Sequence, residues 1–267
     1  MDGGSITANP STQGRQPQHP LLWKVTAALA GGAHEILGLA VPLYCAGCGE
    51  PDVVLCTRCQ AALYPQLSEA PDQEFPILTC ASYEGTLRSV LVEWKDRGRA
   101  DLSVWIQAAS RIAGAQCARG SDWSGSCSQS VSVVLVPMPS SRAATVRRQF
   151  VPAQLVAHGV AQGLRDYLPH VHADCSHPVV VTVVDALGMA RERKDQVGLG
   201  RTDRRRNALG SLRVSEKHAS QVERASLIVI VDDIVTTGST MNEAKRTLSA
   251  LTGTNVRGIA FAYTPRN

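Results

Sequence analysis

Three runs of apolar, largely β-branched residues constrain this chain more than any other feature: Val131 to Val136, Val179 to Val184 and Leu227 to Val231. A strand that is apolar on both faces must be covered on both, as happens when parallel strands are flanked by helices. The segments between the runs supply helices. Leu102 to Gln116, Ala153 to Tyr167 and Gly238 to Leu251 read as helical, as does the stretch opened by Gly85 and carrying Leu87, Val90, Leu91 and Trp94. Ile77 to Tyr83 reads as an earlier strand and Val256 to Tyr263 as a final one. This alternation predicts an α/β fold, a mainly parallel twisted sheet with helices on both faces. Ligands of such sheets bind beyond the carboxyl ends of the strands. Chemistry is therefore expected just after Val136 and just after Val231.

The segment following the third run is the richest in functional groups. It reads Leu227-Ile228-Val229-Ile230-Val231-Asp232-Asp233-Ile234-Val235-Thr236-Thr237-Gly238-Ser239-Thr240. A strand ends in two adjacent carboxylates, a hydroxyl-rich loop follows, and a helix begins. A helix N-terminus offers unpaired N–H groups and a partial positive charge, which suit phosphate. Gly238 lets the backbone approach that anion closely, and Thr236, Thr237, Ser239 and Thr240 add neutral donors. Asp232 and Asp233 would repel a phosphate. They suit vicinal sugar hydroxyls, which donate hydrogen bonds to carboxylates. A sugar carrying a 5′-phosphate satisfies both halves. Simple capping of a helix by Thr or Ser accounts for the hydroxyls and leaves the acid pair unexplained.

Four of the eight cysteines crowd into one stretch, as Cys45-x2-Cys48 and Cys56-x2-Cys59. Two such pairs can set four thiolates tetrahedrally around zinc, at about 2.3 Å each. An all-thiolate set leaves no open position, which predicts a structural metal, with an iron–sulfur cluster as the alternative occupant. Cys80, Cys117, Cys127 and Cys175 have no paired spacing, so the pattern fits a reducing compartment and not a disulfide scaffold. A cytoplasmic protein is expected.

The apolar stretch from Leu21 to Leu43 is interrupted by Lys24, His34 and Glu35. It is too polar to span a membrane and reads as an amphipathic helix, Leu21 to Leu39. Residues 1–20 are rich in Gly, Ser, Pro and Gln and are expected to be disordered. The expected organisation is a helix plus cysteine module over 21–64, an acidic, proline-containing linker over 65–76, and the α/β domain over 77–267. An apolar fraction of 44% supports a packed core. A net charge of +4 tolerates anionic partners. Aromatics at 4% argue against long stacking platforms for single-stranded nucleic acid.

Two basic segments flank the candidate site. Pro137-Met138-Pro139 forms a rigid loop after the first run, with Ser140, Ser141, Arg142, Arg147 and Arg148 behind it. Arginines at a strand's carboxyl end suit pyrophosphate, and a solvated basic face before a helix fits equally. Arg191 to Asn207 holds seven basic residues, among them Arg204, against Glu192, Asp195 and Asp203. It reads as an anion-binding hood, a track for nucleic-acid backbone, or a solvated loop.

The Leu227–Thr240 segment resembles the phosphoribosyl-diphosphate motif of type I phosphoribosyltransferases. The order of parts along the chain resembles the ComF family of competence-associated proteins, which have an N-terminal helix, a four-cysteine zinc finger and a phosphoribosyltransferase-like domain. Tyr83-Glu84-Gly85, Lys95, Val136-Pro137-Met138-Pro139, and Gln196, Leu199, Arg204 and Asn207 carry that resemblance. The chain departs from it where the family shows R-R-G-F-N-Q, having Arg147-Arg148-Gln149-Phe150-Val151-Pro152, and where Asp96 stands in place of an aromatic.

The resemblance implies that Asp232 and Asp233 hold ribose hydroxyls and serve catalysis, and that Val235, Thr236, Thr237, Gly238, Ser239 and Thr240 hold the 5′-phosphate. Pro137, Arg142 and Arg204 are candidate pyrophosphate contacts. Magnesium is expected with the diphosphate and structural zinc at Cys45, Cys48, Cys56 and Cys59. It implies a phosphoribosyltransferase with an unidentified acceptor, linked to DNA uptake in natural competence, with single-stranded DNA and other competence proteins as partners. Non-catalytic handling of single-stranded DNA, or ligand sensing on the same fold, are the competing readings. Fold alone does not choose among them.

Overall fold

The computed structural model describes residues 43–119, 130–171, 178–190 and 208–265. The expected helix Leu21 to Leu39 and the basic stretch Arg191 to Asn207, with Arg204 in it, lie outside the described residues. So do Cys127 and Cys175.

The described chain is an α/β structure. Its elements run α1 (Thr57–Ala61), β1 (Ser68–Glu69), β2 (Ile77–Ser82), α2 (Gly85–Asp96), a short 3-10 turn (Ala100–Leu102), α3 (Ser103–Arg119), β3 (Val131–Pro137), α4 (Arg142–Arg148) and α5 (Pro152–Val171). They continue with β4 (Val179–Val183), β5 (Leu187–Met189), β6 (Leu212–Val214), α6 (Glu216–Glu223), β7 (Leu227–Val235), α7 (Ser239–Ser249) and β8 (Asn255–Tyr263). Six strands form one sheet in the order β1-β2-β8-β7-β3-β4, and β5 pairs with β6 in a separate hairpin. Every pair in the large sheet is parallel except β1 with β2.

The apolar runs are buried because helices cover both faces, and the period of two sorts their side chains. Val133, Leu135, Val229 and Val231 join one core with Trp94 of α2, Ile106 of α3 and Val160 of α5. Val134, Val136, Ile228 and Ile230 join the opposite core with Met241 and Leu248 of α7, Val222 of α6, and Leu187 and Leu212 of the hairpin. Helices α3 and α5 approach closely, since a Cβ at Gly114 or Gly163 would run into the facing backbone at Val160 or Arg111. At the sheet edge, Arg165 donates from Nε and Nη2 to the Val181 carbonyl, at 3.0 and 2.8 Å. That occupies an acceptor which an edge strand would otherwise leave open.

Residues 65–76, expected as a linker, are folded against the domain. They contribute β1, and Ala70 and Phe75 are buried in the same core as α7. The acidic and proline-rich composition marks a tight strand connection here, with Asp72 at a φ of +54°. The cysteine module is likewise continuous with the domain. Cys45, Leu55, Cys59 and Leu63 belong to the core that contains α2, α3 and α5.

Candidate functional site

Strand order creates the site. After β3 the chain crosses to β4 on one side, and after β7 it crosses to β8 on the other. The loops leaving β3 and β7 therefore part at a topological switch point, where open α/β sheets leave a crevice for ligands. The two strands are adjacent, with Pro137 opposite Val231, and the Met138 N–H donates to the Val231 carbonyl at 2.8 Å. The loops expected from the sequence to carry chemistry thus emerge side by side.

Strand β7 runs further than the apolar run. It continues through both acids to Val235, because β8 offers partners that far, with Asp232 opposite Ala260 and Val235 opposite Tyr263. The acids therefore belong to the strand itself and inherit its rigidity. Asp233 is buried at 7% exposure and pairs with Lys95 of α2, Nζ to Oδ2 at 2.5 Å. Its Oδ1 accepts from the Ile234 N–H at 2.9 Å, and Asp232 Oδ1 accepts from the Asp233 N–H at 2.9 Å. Burial pushes the Asp232 carboxyl well above the ordinary range, the negative charge of Asp233 adds to this, and Lys95 partly opposes it. Two adjacent carboxyls, Asp233 buried and paired with Lys95 and Asp232 half-buried beside it, form an acceptor-rich patch for hydroxyl donors.

The loop after β7 turns through Gly238, which sits at the cap of α7 with a φ of +71°, the left-handed region that favours glycine. No side chain caps α7. The Thr237 and Ser239 hydroxyls bond to each other at 2.9 Å. Thr236 is exposed at the rim. The carboxamide of Gln73, from the connection between β1 and β2, stands where a Cβ on residue 238 would be. Sequence reading missed Gln73 because that segment looked like a linker.

After β3, the Pro137–Ser141 loop leads into α4, whose N-cap Ser141 accepts from the Ala144 N–H at 3.3 Å. Helix α4 buries no residue, and Arg142 and Arg147 stand exposed on it. Arg148 turns inward: its Nε donates to the Lys95 carbonyl at 2.7 Å, and Nη2 pairs with Asp96 at 3.4 Å. Below, Trp94 stacks on Phe150 with centroids 5.2 Å apart. The last turn of α2 therefore touches the acid pair through Lys95 and the basic helix through the Lys95 carbonyl and Asp96. Gln149 takes the left-handed C-cap of α4, with a φ of +63°, and Pro152 begins α5, where its missing N–H costs nothing.

The hairpin β5–β6 springs from the same end of the sheet. Buried Glu243 of α7 accepts from the Gly210 N–H at 2.8 Å and pairs with Arg246. That clasp pins the hairpin to α7 at the point where the chain returns from the basic stretch.

The cysteine module forms a second centre. The four Sγ atoms of Cys45, Cys48, Cys56 and Cys59 lie within 4.8 Å of one another, close enough to share a metal ion. Cys45 Sγ accepts from the Cys56 N–H at 3.3 Å. Burial disfavours the Cys45 thiolate, but N–H donors from Cys56, Gly47 and Cys48 outweigh it and bring its pKa to about 6. Such N–H to sulfur bonds favour the ionised ligand a metal needs. A Cβ at Gly47 would strike Cys59 Sγ and the Thr86 methyl, so the module packs directly on the first turn of α2. Among the described residues no helix is long and apolar enough to cross a membrane. No protein-family model matches the chain, and no curated protein matches it.

Proposed function

We propose that the chain binds 5-phosphoribosyl diphosphate at the carboxyl ends of β3 and β7, as a type I phosphoribosyltransferase-like protein related to the ComF family. The observation that carries this reading is the adjacency of β3 and β7 at the switch point. It brings an acid pair, the start of α7 behind a left-handed glycine, and the loop leading to Arg142 of α4 to one end of the sheet. In this reading Asp232 and Asp233 accept from the ribose 2′- and 3′-hydroxyls, and the Val235–Thr240 loop receives the 5′-phosphate. Pro137 and Arg142 face the diphosphate. Rupture of the bond from C1 to the leaving oxygen builds positive charge on the ribose ring, which the nearby carboxylates stabilise. Magnesium, bound with the diphosphate, would neutralise the leaving group. The four thiolates hold structural zinc, and the protein works in the cytoplasm with the DNA-uptake machinery.

Helix α4 favours a second reading, non-catalytic contact with single-stranded DNA. It buries nothing and displays Arg142 and Arg147, as a backbone-contacting surface would.

Calorimetric titration with phosphoribosyl diphosphate and magnesium tests the first reading, and repetition with single-stranded DNA tests the second. Asp232→Asn combined with Asp233→Asn should abolish sugar-phosphate binding. Undiminished binding by that folded variant would end the assignment. DNA binding that falls steeply with salt, without any sugar-phosphate binding, would replace the transferase reading with the DNA-handling one.

A further inference from the structure

Two buried side-chain acceptors have no hydrogen-bond partner among the described residues, Gln73 Oε1 and Asn242 Oδ1. Both lie at the start of α7. Gln73 stands over Gly238, and Asn242 follows one turn later, its N–H on the Gly238 carbonyl at 2.8 Å. Residues four apart share a helix face, so Asn242 rises from the face on which Gly238 sits. Buried acceptors without donors are rare in folded proteins, and their clustering at one place calls for a missing partner.

The segment holding Gln73 is well anchored. The Ala70 N–H donates to the Ile77 carbonyl at 2.8 Å, Phe75 is buried, and Lys245 Nζ of α7 lies 5.1 Å from the Phe75 ring centroid. Gln73 Nε2 donates to the Pro71 carbonyl at 3.1 Å. The backbone is thus held on both sides while the carboxamide has only one bond, and that bond is local. Asp72 and Glu74 on either side are exposed.

We propose that Gln73, with Asn242 as its neighbour, forms the outer wall of the phosphate end of the site and recognises a sugar phosphomonoester. This rests on the reading given above and adds a residue from outside the motif. A carboxamide presents an acceptor or a donor edge according to the rotation of its terminal torsion, at little cost. When a phosphate enters below, Gln73 turns its NH2 edge onto a phosphate oxygen, and its oxygen leaves the buried position where nothing donates to it. A neutral donor here complements the N–H groups of α7 and adds no further charge to a site that already holds Lys95. The wall also accounts for Gly238, since any side chain at that position would displace Gln73.

The experiment is calorimetric titration of the full chain and its Gln73→Ala and Gln73→Glu variants with two probes, ribose 5-phosphate and magnesium pyrophosphate. Gln73→Ala should bind ribose 5-phosphate about tenfold more weakly. Gln73→Glu keeps the shape but sets a carboxylate against the phosphate, and should lose roughly 100-fold or more. Both should bind magnesium pyrophosphate as the parent does, because that probe occupies the opposite end. Equal or tighter ribose 5-phosphate binding by Gln73→Ala overturns the proposal and leaves the site assignment standing. Parallel losses on both probes overturn it as well, since they mark a general structural effect. If the parent protein binds neither probe, the site assignment and this proposal fall together. Circular dichroism and thermal unfolding of each variant check that it is folded.

Discussion

Lys95 Nζ lies 2.5 Å from Asp233 Oδ2, joining the last turn of α2 to the carboxyl half of β7. The same turn receives Arg148 of α4 on its carbonyl, and the first turn of α2 packs on the cysteine module through Thr86 and Gly47. One helix thus touches the acid pair, the basic helix and the thiolate cluster. Both members of the ion pair are largely covered, at 19% and 10% side-chain exposure, so its loss should be felt.

Lys95→Met leaves Asp233 buried beside Asp232 with no counter-charge. Urea unfolding should show a loss of about 2–4 kcal/mol. Adding Asp233→Asn removes the stranded charge and should recover about 1 kcal/mol or more of that loss. Strictly additive losses in the double-mutant cycle would mean that the pair is not coupled.

Asp232→Asn should separate stability from binding. The Asp232 carboxyl is raised in the folded state by burial and by the charge of Asp233, so between the ordinary carboxylate range and the raised value the native protein binds a proton there more tightly than the unfolded chain does. Stability from this group is greatest at low pH and declines as pH rises from the ordinary carboxylate range through the raised value. The asparagine variant lacks that decline. At neutral pH it should gain about 1 kcal/mol, or roughly 2–4 °C in Tm, while sugar-phosphate affinity falls. Parental binding should itself strengthen with pH across this window as the acceptor ionises. Thermal melts and titrations at several pH values check both trends.

Gln149→Gly should stabilise the fold. Gln149 occupies a left-handed C-cap that disfavours any residue with a Cβ by about 1 kcal/mol. Its exposed flank and the separate stacking of Phe150 on Trp94 should survive the change. Thermal unfolding reads the gain, and an unchanged or lower Tm would show that the glutamine side chain compensates in its own right.

Metal removal should weaken the whole domain and not only its N-terminal part. Cys45 and Cys59 lie in the same core as α2 and α3, so chelation or Cys59→Ser should lower a single cooperative transition by several degrees, on the order of 2–4 °C per kcal/mol lost. Elemental analysis should find zinc in the untreated protein and little in the serine variant. Gly47→Ala should act like ligand loss, because its methyl would occupy the space of Cys59 Sγ.

What the sequence determined by itself was local. The parallel sheet was legible because strands buried on both faces must be apolar throughout, and Val131–Val136 and Leu227–Val231 are held in the described β3 and β7. The four-cysteine cluster was legible because ligand spacing is short-range, and its Sγ atoms do converge. The acid pair and the glycine loop could be read in order along one segment. Tertiary structure alone decided what meets them. Strand order set β3 against β7, which no periodicity encodes. The pairing of β7 with β8 carried the strand through both acids. Lys95 reaches Asp233, and Gln73 covers Gly238, from segments far away in sequence, the second of them resembling a linker by composition. Such contacts depend on how helices and strand connections pack, a property of the whole chain, whereas spacing and burial pattern are properties of a few residues at a time.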